Sequence, residues 1–231
     1  MAKYAVVLDL DGTLAYTMDD ITTAVNNMLT RLGYKTRTKA EVLKFINNGA
    51  RELVRRSLPK SVQDMELIVD TALDTYEEEY AKCYLEKTYA YEGITEALLE
   101  LKKEEKVSFA VLSNKQDKFA KDIINKIFPE KLFKVVMGQA GMPTKPDPTS
   151  ILYILKKLGV KPERAFMVGD SDIDMQTAIN AGITPIGVEW GYRDSLLLRK
   201  TGAEYIAESP EHLYDILLPF VRKEKKYKIL N

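Results

Sequence analysis

Asp9 and Asp11 stand one residue apart at the end of the apolar run Tyr4 to Leu8, and Gly12-Thr13 follow at once. Two like charges this close repel unless a cation sits between them, and a hard divalent ion with oxygen ligands, Mg²⁺ above all, suits them. Gly12 lets the backbone turn closely around an anion or metal. Further on come Ser113-Asn114-Lys115 after VSFAVL, Lys145 in TKPDP, and Asp170 and Asp174 in GDSDID. Each group fits a role in phosphoryl transfer. Asp9 can attack phosphorus, because carboxylates form covalent intermediates of this kind. Asp11 can protonate the leaving oxygen and then deprotonate the attacking water. Asp170 completes a carboxylate set for Mg²⁺ together with Asp9 and the Asp11 backbone carbonyl. Lys145 is a point cation that offsets charge on the phosphoryl oxygens and the nucleophile, and Ser113 with nearby backbone amides supplies neutral donors. Asp9, Asp11, Asp170 and Asp174 together need both Mg²⁺ and Lys145 to be electrostatically tolerable.

The neighbours of these groups divide into helpers and bystanders. Asp174 lies one helical turn after Asp170 and is expected to act through Lys145 or a metal-bound water rather than as a direct ligand. Asp172 points to solvent. Asn114 helps shape the phosphate loop, and Lys115 reads as a solvated start to the next helix. Asn47-Asn48-Gly49, ahead of ARELVRRSL, places free backbone amides at a helix start, an anion site at Gly49. Arg51 has two readings: a partner for a second negative group such as a substrate carboxylate, or an exposed helix charge paired with Glu52.

The elements that carry these residues follow from periodicity. Tyr4 to Leu8 lacks polar alternation, which predicts a strand buried on both faces of a parallel sheet. From about residue 88, strands at Val107 to Leu112, Phe133 to Met137, Ala165 to Val168 and Pro185 to Val188 alternate with helices near 94–104, 116–127, 148–158, 172–181 and 192–201. That alternation predicts a doubly wound α/β sheet, and every candidate group follows a strand, at the edge where such sheets bind ligands. Residues 18–87 read as helices alone, too long for a loop and large enough for a small bundle. The expected division is a core of 1–15 and 88–231 with an all-helical cap inserted at 16–87, hinged near 14–18 and 86–93.

Composition removes other classes of chemistry. Lys+Arg and Asp+Glu balance at 34 each among 231 residues, so no positive excess points to nucleic acid. The basic run Lys223 to Lys228 reads as a solvated helix end. The single cysteine, Cys83, excludes an internal disulfide and reads as a packed thiol. His212, the single histidine, falls at the start of a helix capped by Ser209 with Pro210 at its first position, which argues against triad chemistry. Neither a targeting segment nor a spanning apolar stretch is evident, so a soluble cytoplasmic protein with no membrane partner is expected. The sequence leaves oligomeric state open.

DLDGT, then SN at a second strand end, then the KPDP lysine, then GDSDID followed by AINAG, closely resemble the four motifs of the haloacid dehalogenase superfamily in order, over essentially the whole chain. INNGARELVRRSLP and GVEWGYR are similar to the phosphoglycolate phosphatase branch. The resemblance implies a Rossmann-like core with a helical cap, Mg²⁺ dependence, and hydrolysis of small phosphomonoesters through an aspartyl phosphate, 2-phosphoglycolate first. It assigns Asp9 as nucleophile, Asp11 as acid/base, Ser113 as phosphate ligand, Lys145 as charge stabiliser and Asp170 as metal ligand. The alternatives are a sugar phosphomutase of the same fold and a non-catalytic binding protein. A halogen-removing enzyme would not require Asp11.

Overall fold

The computed structural model describes residues 4–222; the run Lys223 to Lys228 lies outside them. The first strand, β1 (Tyr4–Leu8), sends alternate side chains to opposite faces. Val6 and Leu8 pack with Phe109, Val111, Phe166 and Val168, whereas Ala5 and Val7 pack with Ala110, Leu112, Ile151 and Met167. Both faces are covered, so neither needs polar side chains and the run stays apolar throughout.

After β2 (Ala15–Tyr16) come α1 (Met18–Arg31), α2 (Lys39–Leu43), α3 (Ala50–Ser57) and α4 (Glu66–Cys83), and then β3 (Tyr89–Ala90). The helices enclose an apolar cluster joined by Phe119 from the following segment. On α4 it takes Val69, Ala72, Tyr76, Tyr80 and Cys83, a stripe at three- and four-residue spacing, against Met18, Ile21, Val25 and Met28 of α1. Cys83 is buried there, and burial pushes its thiol up to about 11, which suits a packing role.

Two ties close the base of this helical segment. β2 and β3 pair antiparallel, Ala15 opposite Ala90 and Tyr16 opposite Tyr89, with the two rings stacked at 5.2 Å. The buried Asp20 carboxylate, in the first turn of α1, accepts from the Lys87 N–H at 3.0 Å and the Thr88 hydroxyl at 2.8 Å. Periodicity reveals neither strand, because two residues are too short to show a period.

The remaining elements alternate: α5 (Ile94–Lys102), β4 (Val107–Gln116), α6 (Asp117–Ile127), β5 (Phe133–Gln139), α7 (Thr149–Leu158), β6 (Ala165–Gly169), α8 (Asp172–Ala181), β7 (Thr184–Val188), α9 (Ser195–Lys200), β8 (Tyr205–Ala207) and α10 (Pro210–Arg222). The large sheet has the order β5-β4-β1-β6-β7-β8, and all its pairings are parallel. The chain winds from β1 to one edge and then returns to fill the other side, which leaves a crevice at the carboxyl end of β1. Three details differ from the sequence reading. An edge strand, β8, adds to the sheet. The helix expected over 192–201 begins only at Ser195, where the Asp194 side chain accepts the Leu197 N–H. β4 runs on to Gln116 instead of stopping at Leu112. Among the described residues no helix is long and apolar enough to cross a membrane.

Candidate active site

Strand register brings the carboxylates together. Leu8 is level with Val111 of β4 and Val168 of β6, so Asp9, Ser113 and Asp170 emerge within a residue or two of one another at a single edge. Lys145 arrives from the loop between β5 and α7. Its Nζ lies 2.7 Å from Asp9 Oδ1 and 2.7 Å from Asp174 Oδ1, with the side chain 3% exposed. The other oxygen of Asp174, Oδ2, accepts from the Ser171 hydroxyl at 2.6 Å and the Ser171 N–H at 3.2 Å, closing a capping box at the start of α8. Both Asp174 oxygens are thereby engaged, which gives the residue the position of a brace on Lys145. The Leu10 N–H also donates to Asp9 Oδ1, at 2.7 Å; among the described residues no hydrogen bond is made to Oδ2.

Asp170 is fixed from the other side. The Tyr192 N–H donates to its Oδ2 at 2.7 Å and the Thr13 hydroxyl approaches Oδ1 at 3.4 Å. Gly12, at φ +85, lies so close that an added Cβ would fall 2.3 Å from Asp170 Oδ2, so only glycine fits the turn. Trp190 Nε1 donates to the Thr13 carbonyl at 3.0 Å, and the Thr17 N–H donates to Tyr192 Oη at 2.9 Å. The GVEWGYR segment therefore holds the loop that follows β1.

Burial raises Asp9 well above the usual carboxylate range; Lys145 opposes the shift, and Asp174, Asp170 and Asp11 add to it. Asp170 is raised to about 7, by burial and by Asp174, against the Tyr192 N–H and the Lys145 charge. Burial works against the Lys145 ammonium, but the Asp174 and Asp9 carboxylates more than offset it and its pKa lies above the ordinary value. Among the described residues, oxygens of Asp9, Asp170 and Asp174 lie within 4.8 Å of one another. A buried, all-oxygen, acidic set in which burial disfavours ionisation of Asp9 and Asp170 fits a hard divalent cation, and with Asp174 occupied by Lys145 and Ser171 the carboxylates left for it are Asp9 and Asp170.

Asp11 has partners of its own. Thr17 Oγ1 donates to its Oδ1 at 2.6 Å, and Lys115 Nζ lies 3.2 Å from the same oxygen. Lys115 is thus not the solvated start of a helix. Its side chain is 7% exposed, donates to Tyr80 Oη of α4 at 2.8 Å, and sits 4.6 Å from the centre of that ring. The cause is a bulge in β4: Leu112 pairs with Met137 and Gln116 with Gln139, so Ser113, Asn114 and Lys115 oppose the lone Gly138. A Cβ on Gly138 would meet the Lys115 carbonyl at 2.5 Å, so the bulge requires glycine opposite it.

Asn114 shapes the loop through the backbone of its neighbours. Its Oδ1 accepts the Lys145 N–H at 2.8 Å, and its Nδ2 donates to the Lys145 carbonyl at 3.0 Å and the Asn47 carbonyl at 2.9 Å. With both amide hydrogens in use, Asn114 clamps the Lys145 backbone and ties it to the helical segment. Ser113 is buried, its Oγ accepting the Lys115 N–H at 3.2 Å, and it lines the cleft. Gly49 caps α3 at φ +84 and lines the cleft as well. Arg51 is not brought there. Its guanidinium reaches Glu66 and Asp70 of α4, each at 2.5 Å, while Glu52, its expected partner, pairs with Arg56 at 2.6 Å.

The cleft encloses about 640 Å³ counting its mouth and lies between the sheet edge and the helical segment. Asp9, Asp11, Ser113, Lys115 and Lys145 form its floor, and Ile46, Leu53, Tyr76, Tyr80 and Phe119 its apolar wall. Sequence reasoning missed Thr17, Tyr80 and the inward-turned Lys115. Thr17 carries no local signal, and Tyr80 looked like ordinary core on an amphipathic helix.

Residues 6–188 match the family described as haloacid dehalogenase-like hydrolase. A phosphoglycolate phosphatase from Pseudomonas putida is 32% identical over 216 residues, covering 92% of this chain and 76% of that protein. One from Psychrobacter arcticus is 30% identical over 224 residues, covering 94% and 97%. The crystal structure of a candidate phosphoglycolate phosphatase from Lactobacillus delbrueckii subsp. bulgaricus superposes with a TM-score of 0.85 at 28% identity, over 94% of this chain and 99% of that one.

Proposed function

Since the chain belongs to the haloacid dehalogenase-like hydrolases, we propose that it hydrolyses small phosphomonoesters through an aspartyl phosphate on Asp9, with 2-phosphoglycolate as substrate. The observation that carries this reading is the buried Asp9–Lys145–Asp174 chain beside Asp11 at the sheet edge. The phosphoglycolate phosphatases similar to the chain over most of its length support the choice of substrate.

In this reading an Asp9 oxygen attacks phosphorus, the ester P–O bond breaks, and Asp11 gives its proton to the departing oxygen. Water then attacks the phosphoryl group, Asp11 takes the water proton, and inorganic phosphate leaves with Asp9 restored. Thr17 and Lys115 hold Asp11 in place between the two proton transfers. Lys145 offsets the charge that gathers on the phosphoryl oxygens, and the Ser113 hydroxyl with neighbouring backbone amides donates to them. Mg²⁺, held by Asp9, Asp170 and the Asp11 carbonyl, would supply charge neutralisation at the phosphoryl oxygens.

The same reading divides the chain into a catalytic core, 1–15 and 88–231, and a helical cap, 16–87. The apolar cluster drawn almost wholly from the helices, Phe119 of α6 being its buried member from the core, and the β2–β3 ladder at their base support that division. The test is phosphate release from 2-phosphoglycolate, sugar phosphates, mononucleotides and pyrophosphate, with and without Mg²⁺, using Asp9→Asn as the blank. Mg²⁺-dependent release, fastest on 2-phosphoglycolate and absent in the variant, is expected. A different best substrate would overturn the choice of ester, and no release from any member would overturn the hydrolase reading.

A further inference from the structure

The cleft offers an acceptor for a phosphoryl group and, apart from it, a second set of donors. Of the residues lining it, Lys115 and Lys145 are the cations. Lys145 is taken up by Asp9 and Asp174. Lys115 is held by Asp11 and Tyr80, which occupy two of its three ammonium hydrogens. Asn47 lines the same cleft, and its Nδ2 is, among the described residues, the buried side-chain nitrogen or oxygen without a hydrogen-bond partner. An unmet buried amide is costly, which makes it a place where a ligand oxygen is welcome. Its backbone is meanwhile fixed, with the carbonyl bonded to Asn114 Nδ2.

We infer that Lys115 and Asn47 form a subsite for a second anionic group of the substrate, a carboxylate lying within a few bonds of the ester oxygen. The reach follows from chemistry. Asp11 must touch the ester oxygen to protonate it, and Lys115 Nζ is 3.2 Å from Asp11 Oδ1. An anion on Lys115 therefore sits close to the bond that breaks, as the carboxylate of 2-phosphoglycolate does across one methylene. The second anion of a hexose bisphosphate would lie several atoms further away. The apolar wall of Ile46, Leu53, Tyr76 and Phe119 keeps water from competing, so a charge-assisted hydrogen bond here is strong. This inference rests on the phosphatase reading above and names the residues that choose its substrate; Arg51, turned toward Glu66 and Asp70, takes no part.

The test compares kcat/KM for 2-phosphoglycolate with that for 2-hydroxyethyl phosphate, which has the same length and no carboxylate. The readout is the ratio of the two, from which any effect on Asp11 cancels because both esters need it. In Lys115→Met and, separately, Asn47→Gly, which tolerates the positive φ of +87 at this position, the ratio should fall roughly 10- to 150-fold, mainly through KM of the acid, as expected for loss of a hydrogen bond to a charged group. Lys115→Arg should recover part of it, and Arg51→Ala should leave it at the wild-type value. Asn47→Gly removes the amide without straining the backbone at φ +87 and carries the test if Lys115→Met does not fold. A wild-type enzyme that hydrolyses both esters equally, or a ratio that survives both substitutions, overturns the subsite and leaves the phosphatase reading standing. Release from neither ester by the wild type overturns both.

Discussion

The two walls of the cleft hold their charged groups in opposite ways. At the sheet edge, charges are buried and interlocked: Lys145 between Asp9 and Asp174, Asp174 against Ser171, Asp170 against the Tyr192 amide. On the helical side, the arginines of α3 answer carboxylates of α3 and α4 across the surface, Arg51 with Glu66 and Asp70, Arg55 with Glu66, Arg56 with Glu52. What that side turns toward the cleft is mostly apolar, with Asn47 and the tyrosine hydroxyls of Tyr76 and Tyr80 as its polar groups. The difference separates two tasks. The parallel sheet holds the proposed reacting groups in one fixed arrangement, as preorganised electrostatics would demand. The helical wall presents mainly apolar surface to the cleft, and in the proposed reading its few polar groups would tell one ester from another.

The comparison breaks most completely at Asp9. Asp9→Asn keeps the shape of the side chain and removes the proposed nucleophile, so turnover should fall by about 10⁴-fold or more while far-UV circular dichroism stays unchanged. Phosphate release near the wild-type rate would take the nucleophile's role away from Asp9. Lys145→Met attacks the same wall through its charge balance. It leaves Asp9 and Asp174 facing one another in a buried site, so it should cost about 3–5 kcal/mol in stability, read by urea unfolding, as well as nearly all activity. A variant as stable as wild type would mean that the carboxylates are not held apart by this lysine alone.

The sheet wall was legible in the sequence for a reason that the helical wall does not share. A strand covered on both faces must be apolar, so Tyr4 to Leu8 marks itself, and parallel pairing then puts whatever follows each strand at one edge. Asp9, Ser113, Lys145 and Asp170 could be named from that rule together with the motif order. Lys115 could not, because its direction depends on a bulge whose sign is Gly138 on another strand. Arg51 admits two readings from sequence for a related reason: its place in the sequence beside Gly49 is near the cleft, but the turn of α3 carries its side chain to α4, whose contact with α3 is set by packing of the whole bundle. β2, β3 and β8 are two or three residues each, below the length at which a period can be read.

A smaller effect tests how the two walls are joined. Asp20→Ala removes the carboxylate that gathers the Lys87 amide and the Thr88 hydroxyl at the base of the helices. It should lower stability by about 1–3 kcal/mol, since those donors lose their partner. The sheet side does not contain Asp20, so the chemistry of a bound ester should suffer less than its capture, with KM rising more than kcat falls. A kcat loss as large as that of Lys145→Met would show that the join itself sets the reacting geometry.

The smallest expected effect is the sharpest test of the contrast. Arg51 makes two ion pairs at 2.5 Å, which look strong in isolation, but its side chain is 44% exposed and its partners Glu66 and Asp70 are 62% and 56% exposed. Exposed pairs lose most of their attraction to water and salt and must immobilise two long side chains to form. Arg55 also reaches Glu66, at 2.9 Å, so removing Arg51 leaves that carboxylate a cation. Arg51→Ala should therefore leave the thermal midpoint and kcat/KM on 2-phosphoglycolate at their wild-type values, the same outcome at low and at physiological salt. A loss confined to the carboxylate-bearing ester would bring Arg51 into the cleft during turnover, through a movement of α3 that releases it from Glu66 and Asp70. The helical wall would then recognise its substrate with a mobile surface charge, and the contrast with the locked charges of the sheet edge would be one of timing rather than of construction.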